Sequence, residues 1–155
     1  MNHCDFKFGL TRATVYGGPY RECPEGAYGV NMAAELRYLP SKVQVPTEDF
    51  QTPDPDDLLE GLRQTILALG AKQQVYVGCM GGIGRTGLFL AVLAKALGYE
   101  TPVTYIRANY LSYAVETEQQ QRYVDTFDVS GLKSTVFHAK LMRALLFWKK
   151  EPPLS

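Results

Sequence analysis

Cys79 and Arg85 are separated by five residues, three of which are glycines. Glycine adopts backbone angles that are closed to other residues, so a short glycine-rich loop can curl until its N–H groups point inward. Inward-pointing amides at the start of a helix bind anions, and arginine offers a planar pair of donors to two phosphate oxygens. A cysteine at the edge of such a positive site ionises readily and becomes a nucleophile. The spacing therefore predicts a nucleophile in a phosphate cradle, which suggests covalent phosphoryl transfer.

The loop is expected to join a strand to a helix. Residues 75–78 form a short apolar strand before Cys79, and the stretch from Gly87 to Leu97 predicts a helix that Gly98 ends. This helix is apolar nearly all round, which indicates burial, and its N-terminus would face the loop. Thr86 lies where the helix is predicted to begin, so its hydroxyl could cap the helix.

The segment Cys79-Met80-Gly81-Gly82-Ile83-Gly84-Arg85-Thr86-Gly87 resembles the phosphate-binding loop of cysteine-dependent protein tyrosine and dual-specificity phosphatases. The resemblance, which extends over residues 43–127, implies that Cys79 attacks phosphorus and that the Thr86 hydroxyl bonds the thiolate. These enzymes usually carry a histidine directly before the cysteine, where this chain has Gly78. The residues that the resemblance assigns to phosphate binding are Met80, Gly81, Gly82, Ile83, Gly84 and Arg85.

Two other interpretations of the loop compete with this one. A nucleotide-binding loop of the form Gly-x4-Gly-Lys-Ser/Thr would place Cys79 at its first glycine and Arg85 at its lysine. Alternatively, Cys79 is an unreactive buried cysteine in a turn between a strand and a helix, because buried cysteine is common. That interpretation leaves Arg85 without a role.

A general acid is expected upstream of the loop, because an alkoxide or phenoxide leaves phosphorus poorly unless it is protonated. Residues 46–55 contain three prolines and therefore form an irregular loop. In the resembling phosphatases an aspartate on such a loop, between a strand and a helix, is the general acid. Asp49, thirty positions before Cys79, has the matching place.

Other carboxylates lie near Asp49, and Asp54 and then Glu48 are alternatives for the acid. Asp54 also suits the N-cap of a helix predicted from about Asp56 to Gly70, and Asp57 suits its first turn. The residues expected on the apolar face of that helix are Leu58, Leu59, Leu62, Ile66 and Leu67.

Thr117 and Gln120 have the spacing of a capping box for a helix that continues to Phe127. The same segment resembles the glutamine loop of these phosphatases, which implies that Gln120 positions the water that hydrolyses the intermediate. The first glutamine of that loop corresponds to Glu116, a departure. Its carboxylate could orient water or bind Arg85 or Arg107.

The segments outside the resemblance are less informative. Residues 1–26 are expected to form short strands and turns, residues 31–38 have helical composition, and 42–45 alternate as a strand. Tyr16, Tyr20 and Tyr28 could line the mouth of the site, although a satellite cluster of the core is the favoured interpretation. From Gly131 onward, apolar and basic residues recur with helical spacing, typical of a helix that packs on its own domain and less often of one on a membrane.

The 155 residues carry 16 basic and 16 acidic side chains, so bulk charge gives nucleic-acid binding no support. Three cysteines, Cys4, Cys23 and Cys79, have no metal spacing and indicate a reducing compartment, although a redox disulfide from Cys79 to either of the others is conceivable. The chain shows no secretory signal and no apolar run of membrane-spanning length. We therefore expect a cytoplasmic monomer without metal or cofactor.

Together these features predict one α/β domain over residues 1–155, with a small, mostly parallel central sheet flanked by helices and the phosphate loop between a strand and a helix. The expected function is metal-independent hydrolysis of phosphomonoesters through a phosphocysteine, with phosphotyrosine or dual-specificity protein substrates. The alternatives are an RNA 5′-phosphatase and a catalytically weak pseudophosphatase that binds phosphorylated partners. The expected catalytic residues are Cys79, Arg85, Asp49, Thr86 and Gln120.

Overall fold

The computed structural model describes residues 1–151, 153 and 154. This part of the chain forms a five-stranded sheet, five α-helices and three short 3-10 helices. The strands are β1 Asn2–Phe8, β2 Thr11–Pro19, β3 Tyr28–Ala33, β4 Val43–Thr47 and β5 Val75–Cys79. The α-helices are α1 Pro55–Gly70, α2 Gly84–Ala96, α3 Pro102–Asn109, α4 Glu118–Thr126 and α5 Lys133–Leu145. The 3-10 helices are Tyr20–Glu22, Ala34–Leu36 and Ser130–Leu132.

The sheet has the order β1-β2-β5-β3-β4. β1 pairs antiparallel with β2, and the other pairings are parallel, which confirms the predicted small, mostly parallel sheet flanked by helices. β5 is central and all of its residues are buried. Cys79 ends β5, opposite Pro19 of β2. The candidate site therefore lies at the C-terminal ends of parallel strands, where open α/β sheets bind their ligands.

Local sequence signals located α1 and α4 correctly. The side chain of Asp54 accepts the backbone N–H groups of Asp56 and Asp57 and so caps α1. Thr117 and Gln120 form both halves of the predicted capping box of α4. These caps satisfy backbone donors that have no partner within a helix, which explains why short sequence patterns find them.

The predicted apolar face of α1 was wrong at one position. Leu67 is exposed, whereas Leu69 and Gly70 are buried. α5 packs against this end of α1 so closely that a Cβ on Gly70 would lie 2.8 Å from the Cα of Ala139. The buried face of α1 is therefore decided by two neighbours, the sheet and α5, and not by the sheet alone.

The helical composition of residues 31–38 was misleading. Residues up to Ala33 belong to β3, which pairs with both β4 and β5, and Ala34–Leu36 form one 3-10 turn. Asn31 stabilises this turn, because its side-chain amide donates to the carbonyl of Leu36 and its side-chain oxygen accepts the N–H of Ala33. Pairing on both sides in the sheet, with a side chain that competes for backbone groups, outweighs weak helix propensity.

α2 begins at Gly84, three residues before the predicted start. The N–H of Gly87 donates to the carbonyl of Ile83, so the last loop residues already belong to the first helical turn. Thr86 therefore lies inside that turn. Its predicted role as a cap is wrong, because its hydroxyl bonds another group.

Residues 1–26 form the expected short strands and turns, and the tyrosines of this region differ in burial. Tyr20 is buried and its hydroxyl donates to the carbonyl of Pro40. Tyr28 is partly buried and packs against the core. Tyr16 is half-buried and its ring lies 6.1 Å from that of His3. The cluster interpretation therefore describes Tyr20 and Tyr28 better than the interpretation that places them at the mouth of the site.

The C-terminal segment forms the predicted helix, α5, and packs on its own domain through Val136, Ala139 and Arg143. Of the apolar residues that recur in this segment, Val136 is buried, whereas Leu141, Leu145, Phe147 and Trp148 are exposed. Inward-facing Arg143 donates to three backbone or hydroxyl oxygens of the N-terminal strands and of α1. Within the described residues, every helix is too short or too polar to cross a lipid bilayer.

Candidate active site

Cys79 lies at the base of the loop between β5 and α2 and is buried. The backbone N–H of Gly82 and the hydroxyl of Thr86 both donate to its sulfur, each over 3.2 Å. Two donors thus converge on this sulfur. The bond from Thr86 is the one that the resemblance implied, and the bond from Gly82 was not predicted.

The loop holds its curled shape through Gly82, whose φ of +74° lies in the left-handed region. A Cβ on Gly82 would collide with the backbone of Gly18 at the end of β2. The carbonyl of Gly82 accepts a buried hydrogen bond of 2.7 Å from the hydroxyl of Tyr110. Burial raises the pKa of Tyr110, so this hydroxyl stays protonated and remains a donor.

Tyr110 was not predicted as a residue of the site. It follows α3 and lies 28 residues beyond the glycine that it contacts. A lone tyrosine near the end of a helix carries no sequence signal for contact with a distant loop.

Gly78 replaces the usual histidine for a steric reason. A Cβ at this position would lie 2.7 Å from the Cα of Tyr20 and 2.8 Å from the carbonyl oxygen of Gly18. Contacts below 3 Å between a Cβ and backbone atoms require movement of the chain. The segment after β2 therefore excludes a side chain directly before Cys79, and the loop is held from its other side by Tyr110.

Arg85 is buried and forms a bidentate ion pair with Glu35. Its Nη1 donates to Oε2 over 2.8 Å and its Nη2 donates to Oε1 over 2.6 Å, while Nη1 also donates to the carbonyl of Thr47. The Nε of Arg85 is buried, and no group among the described residues accepts a hydrogen bond from it. The hydrogen bonds from Arg85 hold the pKa of Glu35 below its ordinary value, which keeps the carboxylate charged.

Glu35 was also missed by the sequence analysis. Its stretch had helical composition, in which an exposed glutamate is unremarkable. The 3-10 turn after β3 projects it toward Arg85, 50 residues away in the sequence. The only signal that could have found it is the need of a buried guanidinium for a carboxylate partner.

Asp49 lies beside Arg85, with 3.5 Å between its Oδ1 and Nη2 of the guanidinium, and its side chain is 55% exposed. The same oxygen accepts the N–H of Phe50, whose φ of +61° is unusual for a bulky residue. The N–H of Gln51 donates to the carbonyl of Glu48 and closes this turn. Of the three carboxylates considered as the acid, Asp54 is occupied as a helix cap and Asp49 is the one that forms an ion pair with Arg85.

Gln120 is fully buried and both ends of its side chain are engaged. Its side-chain oxygen accepts the N–H of Thr117, and its side-chain amide donates to the carbonyl of Gln51, each over 3.3 Å. Gln51 lies on the loop between β4 and α1, which we call the acid loop because it carries Asp49. The side chain therefore ties α4 to the loop that carries Asp49.

Glu116 lies against the start of α2, where a Cβ on Gly84 would collide with its carboxylate. Neither arginine considered as its partner points its donors there. Arg85 binds Glu35, and Arg107 donates to the carbonyls of Ala114 and Val115. Glu116 thus places an exposed negative charge beside the loop.

All three cysteines are free thiols. Cys4 lies buried on β1, and burial raises its pKa to about 12, which makes it a poor nucleophile. Burial likewise raises the pKa of Cys23. Among the described residues, no group of three or more His, Cys, Asp or Glu side chains is arranged to hold a metal ion.

Comparison with known proteins places this geometry in context. The profile of a family described as "Polymorphic toxin system, DSP-PTPase phosphatase" matches residues 25–98. Two uncharacterised proteins of Methanocaldococcus jannaschii are each 39% identical to the chain, one over 80 residues and one over 93. The matched stretches cover 52% and 58% of this chain and 50% and 63% of those relatives. The chain therefore spans between half and two thirds of their length.

Three solved structures have a fold similar to that of this chain. The structure of Tk-PTP in its active form has a TM-score of 0.57 and is 22% identical in sequence. The match covers 71% of this chain and 80% of the Tk-PTP chain. A glycine-to-alanine variant of Tk-PTP has a TM-score of 0.58 at 20% identity, covering 87% and 97%. Kinase associated phosphatase with serine at its catalytic cysteine has a TM-score of 0.55 at 21% identity, covering 66% and 68%. Identities this low indicate a shared fold, and the profile supplies the relationship in sequence. Over residues 25–98 the chain is therefore similar in sequence to a family of DSP-PTPase phosphatases, and it shares the fold of protein tyrosine phosphatases.

Proposed function

We propose that the protein hydrolyses phosphomonoesters through a phosphocysteine intermediate formed on Cys79. The observation that carries this proposal is the convergence of the Gly82 N–H and the Thr86 hydroxyl on the sulfur of Cys79. An inert cysteine in a turn needs no such donors. Arg85, with its buried and unpartnered Nε, supplies the cation that a phosphate requires.

In the first step the thiolate of Cys79 forms a bond to phosphorus, and the bond from phosphorus to the substrate oxygen breaks. Arg85 and the amides of residues 80–85 bind the equatorial oxygens, where negative charge is held in the transition state. Asp49 gives its proton to the departing oxygen, so that the product leaves as an alcohol or phenol. Its position beside Arg85 supports this role.

In the second step water attacks the phosphorus, the bond from sulfur to phosphorus breaks, and inorganic phosphate leaves. The Asp49 carboxylate accepts the proton of that water, which restores the acid. The hydroxyl of Thr86 stabilises the thiolate as it departs. Gln120 contributes by holding the acid loop through Gln51, and Glu116 is the polar side chain beside the loop that can orient the water.

For the substrate we propose phosphorylated proteins or peptides, with phosphotyrosine accepted and phosphoserine or phosphothreonine as further substrates. Residues 80–84 carry no basic side chain, which argues against polyanionic inositol phosphates. The exposure of Asp49 indicates a shallow mouth, and Phe50 offers an exposed ring beside it for a substrate ring. The zero formal net charge gives an RNA 5′-phosphatase no support.

The test is hydrolysis of para-nitrophenyl phosphate and of a phosphotyrosine peptide, both in EDTA. Cys79→Ser should abolish turnover. Asp49→Ala should lower the rate on the peptide about a hundredfold or more and remove the fall in rate at high pH. Glu48→Ala, on the same exposed turn, is the matched control and should leave the rate unchanged.

Two results would contradict the proposal. Turnover that survives Cys79→Ser would rule out a phosphocysteine. Absence of turnover with tungstate binding intact would make the loop a binding site, and the protein a pseudophosphatase, in line with the departures at Gly78 and Glu116.

A further inference from the structure

α5 is apolar on two opposite faces. Its inner face, with Val136, Ala139 and Arg143, is buried against the domain. Its outer face carries Phe137, Leu141 and Leu145, which are 71%, 51% and 67% exposed, and Trp148 in the turn after the helix is 69% exposed. The three helical residues recur every four positions, so they form one stripe along the helix.

Single exposed apolar residues are common, but a continuous stripe is not. Phe137 and Trp148, together with Phe147 at 84% exposure, are three aromatic side chains that each carry roughly 150–250 Å² of surface. A stripe of this size on a folded domain marks a surface that binds another phase or molecule.

Charge around the outer face of α5 has one sign. Residues 129–150 contain five basic and no acidic side chains, whereas the rest of the chain has an excess of five acidic ones. Lys133 is the first residue of α5, Lys140 lies within it, and Lys149 and Lys150 follow it. Arg143 is the one buried member of this set. The stripe therefore lies in the only strongly positive segment of a chain with zero net charge.

We infer that the outer face of α5 binds the surface of an anionic lipid bilayer. Aromatic and leucine side chains can enter the boundary between headgroups and acyl chains, while the flanking lysines extend to the anionic headgroups. A second copy of the chain fits the surface less well. Two-fold pairing would set the same lysines against each other without an acidic partner.

The position of this surface determines what docking would do. Lys72 donates to the carbonyl of Lys149, and Lys149 donates to that of Ala71, so the segment after α5 lies on the turn that precedes β5. Cys79 is at the opposite end of that strand, about 13 Å away. The segment after α5 and the phosphate loop therefore lie at opposite ends of β5, so we expect docking through this segment to leave the loop accessible to substrates.

Trp148 is the only tryptophan, so its fluorescence reports the surface directly. The experiment titrates the protein with vesicles of phosphatidylcholine and phosphatidylserine, and with vesicles of phosphatidylcholine alone. We expect a blue shift and co-sedimentation with the mixed vesicles, both weakened by added salt. Vesicles without phosphatidylserine should bind far less.

Substitutions on this surface measure the apolar and the electrostatic contributions to binding separately. Phe137→Gln and Leu141→Gln should each weaken binding to mixed vesicles about tenfold, and Lys149→Gln and Lys150→Gln about fivefold each. Tyr38→Gln changes an aromatic residue of similar exposure on the segment between β3 and β4, and should bind as the native protein does. Because the changed side chains are exposed, and Lys149 loses only a long, exposed hydrogen bond to Ala71, circular dichroism should show a nearly native melting temperature for each variant.

Several outcomes would overturn the inference. Equal binding to both kinds of vesicle, or binding that ignores Phe137→Gln, would exclude this surface as an anionic-lipid site. A second copy of the chain would be the occupant if three results were found together. The native protein would stay in the supernatant when vesicles are pelleted, it would be a dimer by analytical ultracentrifugation, and Phe137→Gln would be a monomer. These measurements need no turnover, so they are independent of the proposed activity.

Discussion

Both terminal nitrogens of Arg85 donate to the carboxylate of Glu35. This bidentate pair fixes the plane of the guanidinium before any ligand arrives, and leaves Nε as its unpartnered donor. Glu35 thus orients Arg85 without itself belonging to the phosphate loop.

Replacing Glu35 by glutamine should disturb that orientation. An amide can accept from only one nitrogen of Arg85, and its own NH₂ group faces the other. We expect vanadate to bind about tenfold more weakly. Inhibition of turnover by vanadate measures the effect, with Glu48→Gln as the control. Unchanged vanadate affinity in Glu35→Gln would show that packing alone orients Arg85.

The ion pair between Arg85 and Glu35 also makes the free energy of unfolding depend on pH. Arg85 holds the pKa of Glu35 below its ordinary value of 4.5. A carboxylate with a lower pKa in the folded state stabilises the fold above its unfolded pKa, and the contribution is lost as pH falls through the folded value. Glu35→Gln should therefore lower the melting temperature at neutral pH and have little effect well below pH 4.5. A difference that persists undiminished in acid would contradict this, and the fully exposed Glu118→Gln serves as control.

Tyr110→Phe removes the hydroxyl that bonds the carbonyl of Gly82. Its matched control is Tyr76→Phe, because the Tyr76 hydroxyl donates to the carbonyl of Pro19 over 2.8 Å, outside the loop. Each variant leaves a carbonyl without its donor and should lower the free energy of unfolding by about 1–3 kcal/mol in urea. Only Tyr110→Phe should also slow turnover, by about tenfold. Equal turnover in the two variants would mean that the loop keeps its shape unaided.

Gly78→Ala tests whether the missing histidine is a steric necessity. The added methyl group meets the backbone at Tyr20 and Gly18, so we expect a loss of about 1–3 kcal/mol in urea unfolding. Gly131→Ala is the control, because a Cβ there has no neighbour within 4 Å. Native stability in Gly78→Ala would show that the segment after β2 can move aside.

Thr86→Val keeps the branched side chain and removes the donor to Cys79. Because the hydroxyl stabilises the departing thiolate, hydrolysis of the intermediate should slow about a hundredfold, and a burst of nitrophenolate should precede the steady state. Thr65→Val, a buried threonine of α1 that bonds only the carbonyl of Gly61, should show no burst. A uniform loss of rate without a burst would place the hydroxyl in the first step instead.

Much of this site could be predicted because its reactive groups are contiguous in the sequence. Cys79, the glycines and Arg85 lie within one loop, and Asp54 and Thr117 cap helices through contacts two or three residues away. Glu35 and Tyr110 could not be found in this way, because 50 and 28 residues separate them from the groups that they bind. The helical composition of residues 31–38 misled for the same reason, since pairing with two neighbouring strands decides the conformation up to Ala33.

The contact between Gly82 and the backbone of Gly18 also limits how the phosphate loop can be transferred. Residues 79–87 contain Cys79, the glycines of the loop and Arg85, but the groups that fix their shape belong to β2, to Tyr20 and to Tyr110. A graft of this loop alone onto another strand and helix would transfer Cys79 and Arg85 without the residues that hold the loop in its shape. A working graft needs at least three separate pieces of this chain: residues 79–87, the stretch with Gly18 and Tyr20, and the segment with Tyr110.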